Sequence, residues 1–124
     1  MADRQRLGRA GETLARDLLI REGYRVLETN FATRFGELDI VAEEGGVLCF
    51  VEVRLRSGRA FGTAQESLTA TKRRHLLKAA QIYLTVRRRH ESDCRFDLLA
   101  LDWDRDRDCL RSHTLIRNAF GAEG

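Results

Sequence analysis

The sequence has no proline, few aromatic residues and no long apolar run, and each of these absences excludes a class of protein. Without proline there is no proline-rich linker between domains. Aromatic residues make up only 7% of the chain, so a stacking platform for single-stranded nucleic acid is not predicted. No stretch approaches the length of a membrane span, and the first residues, MADRQRLGRAGE, lack the apolar region of a signal peptide. We therefore expect a cytoplasmic protein without a membrane segment.

The sequence also lacks the short motifs of several common chemistries. Its three cysteines, Cys49, Cys94 and Cys109, are odd in number and widely spaced, which predicts neither a disulfide framework nor a zinc site. There is no phosphate loop of the G-x-x-x-x-G-K-[ST] type and no G-x-S-x-G nucleophile elbow. Cys49 is predicted to be a small core residue.

Acidic residues are missing from one long segment, the one between Glu66 and Glu91. The net charge of the whole chain is only +3, so the asymmetry is local. A segment of one sign indicates a polyanionic partner, although a solvated helix face is the competing interpretation. The candidate nucleic-acid-binding residues are Arg34, Arg56, Lys72, Arg73, Arg74 and Lys78.

The length of 124 residues predicts a single domain, residues 1–124, with a flexible tail over about residues 117–124. Apolar periodicity predicts an α/β protein in which helices flank a central mixed sheet, in the order α-β-β-β-α-β-β. The predicted elements are a helix at 7–22, a strand at 24–30, a hairpin at 34–56, a helix from Thr69 or Thr71 to 88, and strands at 94–103 and 109–116.

The hairpin contains two acidic residues in apolar surroundings. Its second strand is apolar on both faces, as in a central strand, yet Glu52 lies on the face that also carries Leu48 and Phe50. Asp39 on the first strand lies among apolar neighbours, where an unpaired charge is unfavourable. Two adjacent strands that each carry such an acid indicate a metal site.

The chemistry of this pattern suits a hard divalent cation. Mg²⁺ binds to one or two carboxylates together with waters and substrate phosphates, and Asp39 and Glu52 offer two carboxylates. Arg54, two residues after Glu52 on the same face, is placed to approach a phosphate. Glu12 on the first helix is a candidate to complete the metal shell; the competing interpretation is a surface glutamate paired with an arginine of its own helix. The four candidate catalytic residues are therefore Glu12, Asp39, Glu52 and Arg54, with Mg²⁺ or Mn²⁺ as the cofactor.

Five blocks in this order resemble the YraN-like bacterial family of the PD-(D/E)xK nuclease superfamily, which is related to the archaeal Holliday-junction resolvases. The blocks are Gly8–Glu12, Arg34–Val41, Phe50–Arg56, Phe61–Lys72 and Arg95–Asp97. The resemblance implies a restriction-endonuclease-like fold, Asp39 and Glu52 as metal ligands, Glu12 as a supporting acid and Lys72 as a phosphate contact. It also implies a homodimer, since the junction-cutting relatives act as dimers.

The chain departs from the superfamily pattern at Arg54, where the E-x-K motif has a lysine. An arginine stays charged, so Arg54 is suited to stabilise a transition state and unsuited to act as a general base. The leading hypothesis is a metal-dependent endonuclease that hydrolyses phosphodiester bonds in structured or single-stranded DNA. The alternatives are a nucleic-acid-binding module of the same fold without turnover, and a protein-interaction domain with a solvated basic helix.

Overall fold

A computed structural model describes residues 2–57 and 65–121 of the chain. Helix α1 spans Ala2–Arg21, and three strands follow: β1 (Arg25–Thr33), β2 (Gly36–Glu44) and β3 (Val47–Ser57). A short 3₁₀ turn at Gln65–Ser67 leads into helix α2 (Ala70–Val86), and strands β4 (Cys94–Asp104) and β5 (Cys109–Phe120) end the fold. The predicted α/β class and the order α-β-β-β-α-β-β are confirmed. Phe61 and Gly62, which the resemblance included, lie outside the described residues.

The five strands form one mixed sheet in the order β1-β2-β3-β4-β5. Neighbouring strands are antiparallel except for β3 and β4, which are parallel over the whole of Leu48–Ser57. A parallel pair needs a long crossover, and α2 lies in the connection between these two strands. The strand that carries Glu52 is therefore the central strand of the sheet, as the sequence predicted.

The sheet has a helix on each face, and the side chains of β3 alternate between the two layers. Cys49, Val51 and Val53 pack with α1, whereas Leu48 and Phe50 pack with α2. Both faces of β3 are buried, which confirms the prediction of a strand that is apolar on both sides. No helix within residues 2–57 and 65–121 combines the length and the apolar character needed to cross a membrane.

Two element boundaries differ from the prediction in ways that matter. Strand β5 continues to Phe120, so residues 117–120 belong to the sheet and not to a flexible tail; residues 122–124 lie outside the described part of the chain. The Phe120 ring stacks on Phe96 at a centroid distance of 4.7 Å, and the backbone N–H of Asn118 donates to Asp97 Oδ1 at 2.9 Å. These contacts with β4 hold the end of β5. At the other end, α1 begins before Leu7 and contains a non-helical residue, Gly8, at φ 48°.

Candidate active site

Three carboxylates are buried in the described part of the protein: Asp39 (7% exposed), Glu52 (3%) and Asp97 (1%). A buried carboxylate is unfavourable unless hydrogen bonds or opposite charges compensate it, so the surroundings of each indicate its role. Asp39 and Glu52 line a common recess between the sheet and α2. The other described residues that line it are Leu38, Phe50, Val51, Leu76, Phe96, Asp97 and Phe120. The recess is too narrow to admit a sphere of the size of a water molecule.

Asp39 lies where the pairing of β2 with β3 ends. The last backbone pair of this ladder is Ile40 with Val51. Asp39 is the residue before Ile40 in β2. Its carboxylate accepts a hydrogen bond from the backbone N–H of Val53 through Oδ2 at 2.8 Å. The side chain thus replaces a backbone carbonyl as the acceptor for β3. This contact ties Asp39 to the residue that follows Glu52, so the two acids lie together as the hairpin predicted.

Glu52 is compensated by two cations of the chain itself. Lys72 Nζ lies 3.4 Å from Glu52 Oε2, and Arg54 Nε lies 3.8 Å from the same oxygen. The side chains of Lys72 and Arg54 are about one-third exposed, at 31% and 32%. The buried carboxylate therefore lies below two cations that reach the surface. The sequence predicted the approach of Arg54; that Lys72 is nearer to Glu52 comes from the packing of α2 on the sheet.

Arg54 makes its hydrogen bond to the segment before α2. Its Nη2 donates to the backbone carbonyl of Ser67 at 3.2 Å. The next carbonyl, that of Leu68, accepts from Nη1 of Arg73 at 3.0 Å. The following residue is Thr69, which caps α2; the sequence had offered Thr69 and Thr71 as alternatives for this cap. Two arginines thus hold two consecutive carbonyls immediately before the helix begins.

Glu12 lies outside the recess and contacts β1, the strand next to the one that carries Asp39. Its Oε2 accepts a hydrogen bond from Asn30 Nδ2 of β1 at 3.0 Å, and it is not among the described residues that line the recess. Thr29 pairs with Ile40 and Phe31 with Leu38, so Asn30 lies at the level of Asp39 in the neighbouring strand. Within residues 2–57 and 65–121 no three His, Cys, Asp or Glu side chains are grouped closely enough to hold a metal ion. The structure therefore groups two of the three predicted metal ligands and leaves Glu12 one strand away.

Asp97 has a complete set of donors and a structural role. Tyr24 Oη donates to it at 2.6 Å, Arg95 Nε at 2.9 Å and the backbone N–H of Asn118 at 2.9 Å. Burial, together with the bond to Asp97, raises the pKa of the Tyr24 phenol, so the phenol stays a donor. The sequence alone predicted no contact for this acid. The pattern that pointed to Asp39, an acid between two core residues of a strand, is also present at Asp97 and would have predicted that it is buried.

A second charged cluster lies beside this acid, at the turn between β2 and β3. Glu44 accepts hydrogen bonds from Arg117 Nε and Nη2 at 2.8 and 2.6 Å, and another from Arg95. The bonds from Arg117, and then the bond from Arg95, lower the pKa of Glu44 to about 2. This cluster joins the hairpin turn to β4 and β5 and takes no part in the recess.

The basic residues on and near α2 divide into two groups. At its carboxyl end, Arg87 pairs with Glu28 of β1 at 2.5 Å and Arg89 pairs with Glu43 of β2 at 2.6 Å. The hydrogen bond with Arg87 lowers the pKa of Glu28, which keeps this pair ionised near neutral pH. The charge of these arginines is therefore balanced within the protein, and this part of the predicted polyanion-binding segment is an intramolecular contact.

The other group surrounds the turn between β1 and β2. Arg34 Cζ and Lys78 Nζ lie 5.0 and 4.9 Å from the centroid of the Phe35 ring, which places both cations on one aromatic residue. Arg34, Lys78 and Arg74 are exposed, and Arg74 donates to Thr71 Oγ1 of its own helix. We call Arg34, Arg74 and Lys78 the basic surface.

Two further candidates for nucleic-acid binding contribute less to that surface. The guanidinium of Arg73 is engaged with the Leu68 carbonyl, as described above, and Arg56 lies half-buried further along β3. Of the predicted set, Arg34, Arg74 and Lys78 are thus the exposed cations around α2, while Lys72, 31% exposed, lies at the recess.

Comparison with known proteins identifies relatives along nearly the whole chain. The family model described as "Uncharacterised protein family UPF0102" matches residues 11–101. A UPF0102 protein of Symbiobacterium thermophilum is 43% identical over 118 residues, which cover 95% of this chain and 98% of the relative. A UPF0102 protein of Pelotomaculum thermopropionicum is 47% identical over 107 residues, covering 86% and 89%. One of Vibrio campbellii is 41% identical over 119 residues, covering 94% and 93%.

Proposed function

Since this chain belongs to the uncharacterised protein family UPF0102, we propose a function from the geometry of its site: a metal-dependent endonuclease that hydrolyses phosphodiester bonds in structured or single-stranded DNA. The observation that carries the proposal is the recess lined by Asp39 and Glu52, two buried carboxylates from neighbouring strands. Two carboxylates buried in one recess repel each other when both are ionised, which is unfavourable for folding. Such a pair is therefore a candidate for a functional site. Membership in the PD-(D/E)xK superfamily, a cytoplasmic location and a homodimer are parts of the same proposal.

The donor set fits a small hard cation. Two carboxylates, completed by waters and by substrate phosphate, are a usual environment for Mg²⁺ or Mn²⁺, and Asp39 and Glu52 are the residues that would hold the ion. The ion, when bound, would supply polarisation of the phosphoryl oxygen and a bound water of lowered pKa. Glu12, through its contact with Asn30, would support the Asp39 side of the site.

The residues of the chain supply the remaining parts of the reaction. Lys72 and Arg54 place two positive charges at the surface of the recess, and a cation that contacts a phosphate undergoing attack stabilises the charge that develops on it. The Lys72 side chain must leave Glu52 before the carboxylate is accessible, and its partial exposure and flexible stem permit this movement. The basic surface of Arg34, Arg74 and Lys78 would bind the flanking phosphates and orient the strand.

A cleavage assay tests this proposal. Branched, single-stranded and duplex DNA are incubated with Mg²⁺ or Mn²⁺ and the wild-type protein, Asp39→Asn or Glu52→Gln, which keep the shape of each side chain and remove its charge. We expect metal-dependent cleavage that each substitution reduces at least about 100-fold. Asp93→Asn, an exposed acid between α2 and β4, is the matched control and should cleave normally. Wild-type protein that cleaves none of the substrates with either ion would refute the proposal, as would cleavage that persists in both site variants.

One observation favours a second candidate, a nucleic-acid-binding module without turnover. Glu52 already has a cation of the chain, Lys72, at 3.4 Å, and the recess has no room for a water molecule. A site balanced in this way is stable without a metal ion. The fold would then present only its basic surface to a polyanion, and the acids would serve the internal charge balance.

Binding measurements separate these candidates from a protein-interaction domain. Fluorescence anisotropy with labelled DNA, measured in EDTA over a range of salt concentrations, gives the slope of log K against log salt. Lys78→Gln should reduce the magnitude of this slope by about 1, since it removes one phosphate contact. Arg87→Gln, which removes a charge balanced by Glu28, is the matched control and should leave the slope nearly unchanged. Absence of DNA affinity at every salt concentration would favour the protein-interaction domain.

A further inference from the structure

The geometry points to a division of labour between the two cations at Glu52. We propose that Lys72 is the cation that contacts the reacting phosphate, whereas Arg54 is a positioning residue that acts through the start of α2. This inference rests on the proposed nuclease function. A phosphate contact by Lys72 is already what the family resemblance implies; the new element is that Arg54, which occupies the lysine position of the E-x-K motif, acts by holding the start of α2 and not by contacting the phosphate.

The contacts of Arg54 are those of a residue that holds the backbone. Its Nη2 donates to the Ser67 carbonyl at 3.2 Å, while its Nε lies 3.8 Å from Glu52 Oε2, beyond hydrogen-bond distance. Arg73 makes the equivalent contact with the next carbonyl, that of Leu68, at 3.0 Å. A planar guanidinium that lies between a carboxylate and a carbonyl is held in one orientation. This suits a positioning role better than movement toward a substrate phosphate.

The held segment leads directly to Lys72. Thr69 caps α2, and its Oγ1 accepts a hydrogen bond from the backbone N–H of Lys72 at 3.1 Å. The backbone carbonyl of Thr69 accepts from the N–H of Arg73 at 2.9 Å. The cap therefore fixes the backbone from which the Lys72 side chain extends to Glu52, where Nζ lies 3.4 Å from Oε2. The connection thus runs from Arg54 on β3 to the Ser67 carbonyl, along the backbone to Thr69, and through Lys72 back to the Glu52 carboxylate on β3.

The position of Lys72 is unfavourable for the helix and favourable for an anion. The first turn of α2 contains Lys72 and Arg73 and, within this described helix, no acidic residue. The amino end of a helix carries partial positive charge, so acidic residues stabilise it and basic ones do not. The same partial charge, added to an ammonium group, attracts a phosphate. A compact ammonium on a flexible stem, 31% exposed, is able to turn from Glu52 toward a substrate oxygen.

A double-mutant cycle tests whether Arg54 acts through Lys72. We expect Lys72→Met to lower kcat for DNA cleavage at least about 100-fold with little change in KM, and Arg54→Met to lower it about tenfold. If Arg54 acts only by placing Lys72, the double variant should be no slower than Lys72→Met alone, within about threefold. If both side chains contact the phosphate, the losses multiply to about 1000-fold, and the division of labour is refuted.

Hydrogen exchange provides a readout that does not depend on cleavage. In the metal-free protein, Arg54→Met should accelerate exchange of the backbone amides of Lys72 and Arg73 about tenfold or more, because the segment before α2 loses its support. Arg74→Met is the matched control: Arg74 lies in the next position of the same helix and donates to Thr71, so the two amides should exchange as in the wild type. Unchanged exchange in Arg54→Met would overturn the positioning role. Wild-type protein without nuclease activity would instead refute the proposed function and the phosphate contact of Lys72, and the exchange result would then decide the positioning role by itself.

Discussion

Replacing Asp39 by alanine and by asparagine should separate the structural role of this side chain from its role as a metal ligand. Asp39 is 7% exposed, and its Oδ2 accepts a hydrogen bond from the backbone N–H of Val53, a residue that is itself only 3% exposed. Alanine removes the acceptor and leaves this N–H without a partner at the end of the β2–β3 ladder. Asparagine keeps an oxygen at the same place, so that the hydrogen bond survives while the charge is lost.

The magnitude follows from these contacts. A buried donor left without an acceptor destabilises a protein by about 1–3 kcal/mol, and removing the buried charge of Asp39 offsets part of that loss. For a free-energy loss of about 2 kcal/mol, a domain of this size should show a Tm lower by about 6–12 °C. Asp39→Asn should stay within about 1 kcal/mol of the wild type, because it loses a charge but no hydrogen bond.

The assay is urea unfolding and thermal unfolding of the three proteins, each in EDTA and in Mg²⁺ or Mn²⁺. In EDTA, Asp39→Ala should be clearly less stable than Asp39→Asn. An ion at 100 times its dissociation constant stabilises the folded protein by about 2.7 kcal/mol, and both variants should lose this increment.

Two outcomes would refute the reasoning. Equal stability of Asp39→Ala and Asp39→Asn in EDTA would show that the hydrogen bond to Val53 contributes little to folding. Full stabilisation of Asp39→Asn by the ion would show that Asp39 is not a ligand, even if the protein binds metal elsewhere. The two arms are independent, so the structural argument and the metal argument fail separately.

Two further predictions concern titration and reactivity outside the recess. The pKa of Glu44 in the folded protein, about 2, lies below the ordinary value of 4.5, so its ionised form contributes stability that is present above about pH 4.5 and is lost as the pH falls toward 2. Glu44→Gln, which loses the ion pair with Arg117, should lower stability at pH 7 by about 1–2 kcal/mol and flatten the acid branch of a stability–pH curve; an unchanged curve would contradict this. For the thiols, burial raises the pKa of Cys49 to about 12, whereas Cys94 and Cys109 are exposed. Ellman's reagent should therefore titrate two thiols in the folded protein and three in urea, and rapid reaction of all three before unfolding would contradict the buried position of Cys49.

The predictions from sequence that the structure confirms rest on short-range geometry. Alternation along β3 separates Cys49, Val51 and Val53 from Leu48 and Phe50, and the structure buries the two sets under different helices. A tight turn between β2 and β3 makes their pairing antiparallel and local. The end of β5 differs from the prediction because residues 117–120 are held by contacts with β4, which sequence spacing does not reveal.

The order of helices and strands, the central position of β3 and the proximity of Glu52 to Asp39 could be predicted from the sequence. Periods of 3.6 and two residues mark the elements, and a hairpin places neighbouring strands side by side. Which cation contacts Glu52, and which arginines remain available to a polyanion, depend on the packing of the helices on the sheet. Lys72 reaches Glu52 from a helix 20 residues away, and Arg87 is neutralised by Glu28 across 59 residues. Such contacts depend on where a helix lies on the sheet and on the direction of its long side chains, and no local periodicity encodes either.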